Sequence, residues 1–202
     1  MVGGTPEWVI REDAAQPVIL ALYLRHVLGI RSPDELPPLR GIPPCETVRE
    51  ESAQAQLERE WREYWAMTVE PQAHPSEVPL GLVDGFGTLV ALPLEGADAL
   101  RAAVAPFGAE AVEYSKTMSD RYAQDAAARP GVSYRAYASA IAEHERQVGR
   151  RAHSFELNVQ VLPLAQRGVW WIGSLTVAVT DGLRGDVVAF DTAIHPIIAE
   201  LA

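Results

Sequence analysis

The chain has 202 residues, 48% hydrophobic and 22% charged, an ordinary globular balance that excludes disorder throughout. Its 27 acidic residues against 17 basic ones give a formal charge of −10, which repels phosphate backbones and argues against nucleic-acid binding. The single cysteine, Cys45, excludes an internal disulfide and any cysteine-based metal cluster within one chain.

This length suits one α+β domain over 1–202 with a substantial core. The N-terminus has no basic region followed by an apolar core, so no secretory signal is expected. The longest apolar run, 18–24, is too short for a membrane span, and a cytoplasmic location follows. Lysine occurs once, at Lys116, and arginine supplies the other basic residues, the coding bias of a GC-rich, bacterial genome.

In chain order, 7–10 reads as a short strand or an extended arm. Asp13 is a candidate N-cap for a helix to Leu28, with Pro17 in its first turn and Gly29 ending it. That helix is apolar almost all round, the pattern of a buried or interfacial helix. Residues 30–44 form a proline-rich, irregular connector. Thr47, with Glu50 as its capping-box partner, starts a second helix to Val69. Leu57, Trp61, Tyr64, Trp65 and Thr68 make its core stripe.

Residues 80–94 suggest a hairpin, 81–83 against 88–92, that supplies a third, edge strand to the main sheet, since Pro93 cannot donate to a ladder. Helices follow over 97–107, 109–128 and 133–149. Ser133 is an N-cap candidate for the last of these, and Tyr134, Tyr137, Ile141 and Val148 form its inner face. Asp186 caps a closing helix, which Pro196 should kink or restart.

The period-two patterning of 154–162 and 169–180 predicts two paired strands. Odd positions from Phe155 to Val179 face the core. Even positions leave Glu156, Asn158 and Gln160 beside Trp170, Ser174 and Thr176 on a polar face. The fold class expected is therefore α+β: a helix-rich domain around a small antiparallel sheet.

No motif names a reaction, and catalytic residues stay unknown. Cys45 is a nucleophile or a small buried hydrophobe, with Glu46 and Glu50 opposing thiolate formation. Arg146, Arg150 and Arg151 read as a solvated helix end. Residues 182–186 are either an anion loop, with Arg184 adding charge, or a plain turn into the capped helix. No cofactor is implied.

Three functions remain. The first is a non-catalytic binding or assembly protein that self-associates or binds a protein partner, motivated by the apolar first helix. The second is a small-molecule-binding enzyme or sensor whose pocket is lined by Glu156, Asn158, Gln160, Trp170, Ser174 and Thr176. The third is a metal-dependent hydrolase using His144, Glu145 and His153, although no metal-binding spacing is present.

Overall fold

The structure, a computed structural model, describes residues 8–43, 45, 49–129 and 132–202. In chain order these form β1 (Trp8–Asp13), α1 (Gln16–Val27), α2 (Glu51–Val69), β2 (Leu80–Leu82) and β3 (Ala91–Pro93). Then come α3 (Asp98–Val104), a 3-10 turn (Ala105–Phe107), α4 (Gly108–Ala128) and α5 (Val132–Val148). The chain closes with β4 (Phe155–Leu162), β5 (Val169–Trp171), β6 (Thr176–Thr180), α6 (Asp181–Arg184) and α7 (Val187–Leu201). The class is α+β, and the chain divides into two compact units.

The first unit comprises the chain up to Asp13, Tyr122–Val161 and Arg167–Ala202. Its sheet has the order β1-β4-β6-β5. β1 lies parallel to β4, with Trp8 opposite Phe155 and Glu12 opposite Val159. A parallel neighbour needs a long crossover, and most of the chain lies between these two strands. Phe155, Leu157, Val159, Val161, Val177 and Val179 are buried together with Tyr137 and Ile141 of α5 and Phe190, Ile194 and Ile198 of α7. Each such side chain contributes about 1.5–3 kcal/mol on burial. The odd-numbered core face is thus as expected on β4 and β6, whereas Leu175, expected on it, is exposed between β5 and β6.

The pairing differs from the expected single hairpin. Residues 169–180 are not one strand: the N–H groups of Ile172 and Gly173 both donate to the Thr176 carbonyl, and the chain reverses there. β5 therefore folds back antiparallel on β6, with Trp170 opposite Ala178, and β6 takes the place beside β4. The edge strand beside β4 is β1, not residues 80–94, which form a separate two-stranded sheet.

Three further expectations are corrected here. Asp13 ends β1, and Ala15 holds the N-cap position of α1 without a side-chain cap. Tyr134 and Val148 are exposed, leaving Tyr137 and Ile141 as the inner face of α5. α7 is one helix through Pro196, so the proline does not restart it. Asp186 does cap α7, accepting from the Ala189 N–H, and Arg167 beside it holds its carboxyl below the usual range. Ser133 is the second residue of α5, and the start of that helix lies at the edge of the described residues.

β1 carries one charged residue on its core side. Trp8, Ile10 and Glu12 alternate toward Phe155, Leu157 and Val159, so Glu12 enters the interior. Its carboxylate pairs with Arg184 at 2.9 Å, both side chains almost fully enclosed. It also accepts from the Tyr122 hydroxyl at 3.1 Å and the Tyr137 hydroxyl at 2.8 Å. Burial, reinforced by Glu12, raises the pKa of both tyrosines. A buried pair of this kind is costly to break from one side, because the remaining charge stays desolvated. Glu12→Ala should cost about 3–5 kcal/mol in urea unfolding, and Glu12→Leu combined with Arg184→Leu should recover most of it.

The raised tyrosine pKa values also set a pH dependence. Folded and unfolded chains both hold the phenol protons below the ordinary tyrosine pKa of about 10. Above it the unfolded chain releases them and the folded one does not, so stability falls as pH rises. Tyrosinate absorbance from Tyr122 and Tyr137 should appear together with alkaline unfolding rather than before it.

The second unit comprises Ala14–Arg121 and Leu162–Gln166. Its centre is α1, buried at every residue from Val18 to Arg25, with Pro17 in the first turn and Gly29 after the end at φ 67°. α2 packs on it through Leu57, Trp61, Tyr64 and Trp65, and the Trp61 indole N–H donates to the Ala21 carbonyl at 3.1 Å. α2 begins at Glu51 rather than beside Thr47, which lies outside the described residues. The stretch after β4 pairs with the proline-rich connector: Leu39 bridges Leu164, and Arg40 N–H donates to the Pro163 carbonyl.

Candidate binding surface

The residues expected to line a polar face are spread over β4, β5, β6 and the β5–β6 turn, and they differ in exposure. Glu156 is exposed and ion-paired with Arg11 at 2.8 Å. Asn158 and Gln160 are half-buried on β4, and the Asn158 N–H donates to the Leu175 carbonyl. Trp170 is half-buried on the far edge strand, its ring lying across Gly168, where a Cβ would meet the ring at 2.8 Å. β6 separates Trp170 from Gln160. Ser174 is exposed in the β5–β6 turn, and Thr176 is buried.

The other candidates are mostly accounted for by local structure. Glu145 accepts from the Ala152 N–H, the His153 N–H donates to the Ala202 carbonyl, and His144 sits on α5. Among the described residues no three His, Cys, Asp or Glu side chains are grouped to hold a metal. Arg146 pairs with Glu143, and Arg150 reaches the carbonyls of Arg151 and Ala202. Arg184 is turned to Glu12, and Asp186 occupies the start of α7, so in place of the expected loop or turn residues 182–184 belong to the short helix α6 that leads into a capped helix. Cys45 borders a cleft of about 640 Å³ with Leu28, Gly29, Arg49, Gln54 and Glu58; among the described residues no histidine lines it to act as a base.

A surface that the patterning did not nominate stands on β2 and β3. These strands pair antiparallel, Leu80 with Pro93, Gly81 with Leu92 and Leu82 with Ala91. Opposed residues share a face. Leu92 is fully buried, so Gly81 and Leu92 point inward. Leu80, Leu82, Ala91 and Pro93 consequently point outward, and none of them is polar. Leu80 is 49% exposed and Leu82 is 58% exposed. An antiparallel sheet with one solvated face normally carries polar residues there. This one is apolar on both faces.

The hairpin is held from its inner side by Arg101 of α3. Its guanidinium donates to the carbonyls of Leu82 at 3.2 Å, Leu92 at 3.0 Å and Pro93 at 3.1 Å, with Gly81 at 3.5 Å. A Cβ at Gly81 would stand in ordinary contact with the Arg101 guanidinium at 3.7 Å and would displace the end of the exposed Leu94 side chain, met at 2.5 Å. α3 is placed in turn by Glu60 of α2, a buried carboxylate that accepts from the Leu100 N–H at 2.7 Å. It supplies the cap that Ala97 lacks. Exposed acids flank the hairpin: Glu77 and Glu95 at its open end, Asp84 at its turn.

Period-two patterning over three residues is too short to read, and an apolar strand reads as buried by default. The one available signal was the absence of any polar residue from 78 to 83 and from 89 to 94. No family model matches this chain, and no curated protein or solved structure is significantly similar to it.

Arg101→Met keeps the apolar stem and removes the donors. It should lower stability by about 1.5–3 kcal/mol, the scale of hydrogen bonds to a charged group. Amide exchange should quicken at Gly81 and Leu92 before it does in α1.

Proposed function

We propose that this chain is a non-catalytic binding protein whose outward β2–β3 face receives a segment of a protein partner that is apolar at its centre and basic at its ends. One observation carries the reading: an all-apolar sheet face, with Leu80 and Leu82 each about half exposed to water. Contiguous exposed apolar surface of this sort marks interaction sites. The flanking Glu77, Asp84 and Glu95, on a chain of net charge −10, favour a cationic partner.

Self-association has lost its main support. α1, the apolar helix that suggested it, is enclosed by its own chain. Two copies meeting through this hairpin would oppose like charges, and a stable dimer needs about 800 Å² from each partner, more than a pair of three-residue strands presents. A ligand pocket on the polar side of the larger sheet has less support, since Thr176 is buried and Ser174 stands in the exposed β5–β6 turn.

A peptide-display library is a direct test. Clones selected on the wild-type chain should be enriched in sequences with basic residues around valine, isoleucine or leucine. They should bind the Leu80→Lys, Leu82→Lys double variant roughly a hundredfold more weakly, since two buried leucines contribute about 1.5–3 kcal/mol each. Clones without that bias, or unaffected by the double substitution, overturn the reading. A dimer in sedimentation that this variant dissolves would make a second copy the occupant instead.

A further inference from the structure

From the backbone of the same hairpin we infer that the partner segment binds as an added strand along the outer edge of β2, an inference that rests on the binding role proposed above. The register decides which backbone groups are available. Leu94 N–H donates to the Pro79 carbonyl and Val83 N–H to the Val90 carbonyl, so Pro79/Leu94 and Val83/Val90 are the hydrogen-bonded pairs. Leu80/Pro93 and Leu82/Ala91 fall between them, at positions whose N–H and C=O groups turn away from the partner strand.

The two edges are not equivalent. On β3, Pro93 has no N–H to offer, and its carbonyl already accepts from Arg101. Only the Ala91 N–H and C=O remain on that edge, and the missing donor at Pro93 is one way proteins protect an edge from pairing. On β2, Arg101 takes the Leu82 carbonyl. The Leu80 N–H and C=O and the Leu82 N–H are left facing outward, and β2 has no second neighbour in its sheet among the described residues. This set of two donors and one acceptor is what an extended segment pairs with in strand addition.

The side chains agree with the backbone. Alternate residues of an added strand would lie beside Leu80 and Leu82 and should be apolar. Its ends would pass Glu77 and Glu95 on one side and Asp84 on the other, and should be basic. The same acids disfavour pairing of β2 with β2 of a second copy.

The test uses the full chain, isotope-labelled, and a synthetic peptide of alternating valine and threonine with lysines at both ends. Bound peptide should slow amide exchange at Leu80 and Leu82 by about tenfold or more. A version N-methylated at alternate residues keeps the side chains and charges but loses edge donors, and should bind about tenfold more weakly or worse. A version with glutamates at its ends should also bind that much more weakly. If the N-methylated peptide binds equally well, and Leu80 and Leu82 gain no protection, strand addition is overturned while the apolar-face reading stands. If binding is indifferent to Leu80→Lys with Leu82→Lys, both fail; if none of the peptides binds, strand addition fails and the display experiment alone decides the reading.

Discussion

Fifteen prolines give this chain a surplus of backbone acceptors, and arginine supplies much of the missing donation. The connector from Ile30 onward holds Pro33, Pro37, Pro38 and Pro43 and is not helical, so its carbonyls have few ladder partners. Arg25, buried in α1, donates to the carbonyls of Arg31, Pro33 and Leu36 at 2.8–2.9 Å. That burial lowers the pKa of its guanidinium, yet no ordinary pH deprotonates it. Arg101 repeats the device under β2 and β3, and Arg49 donates to the Leu28 carbonyl at 2.7 Å. A guanidinium has five donors in a planar fork and no acceptor, which fits it to converging carbonyls better than a lysine would. The proposed surface depends on this, because two strands of three residues have little stability of their own.

The buried ion pair of the other unit solves a different problem. Glu12 occupies an inward position of β1, where alternation calls for an apolar side chain. Arg184, Tyr122 and Tyr137 satisfy it from α6, α4 and α5. Three helices thereby converge on one carboxylate of β1. The pair ties β1 to the unit in one register, since a shift by one residue would expose Glu12 and bury Arg11 or Asp13.

Most helices were legible because their periodicity runs over several turns. α1, α4, α5 and α7 lie within a residue or two of the expected spans, and Pro17, Gly29 and Asp186 mark ends that local chemistry dictates. The faces of β4 and β6 were legible too, because period two survives any choice of partner. Strand pairing was not. Gly173-Ser174 looked like a continuation of the odd–even pattern, while Thr176 gathers two N–H groups and turns the chain there. β1 was ambiguous, since six residues with one inward charge resemble an arm as much as a strand. Nothing in the spacing of α2 distinguishes Glu60 from its other charged residues; its role comes from α3, whose uncapped N-terminus meets it.

From residues alone came the class, the helical spans, the buried character of α1 and the inward face of the larger sheet, all consequences of apolar spacing along a continuous stretch. Only the tertiary structure decided that β1 lies parallel to β4, that β6 separates Trp170 from Gln160, and that Leu80 and Leu82 stay in water while Leu92 does not. The reason is physical: an apolar residue prefers burial wherever it stands, and which ones achieve it depends on the neighbours that distant segments bring.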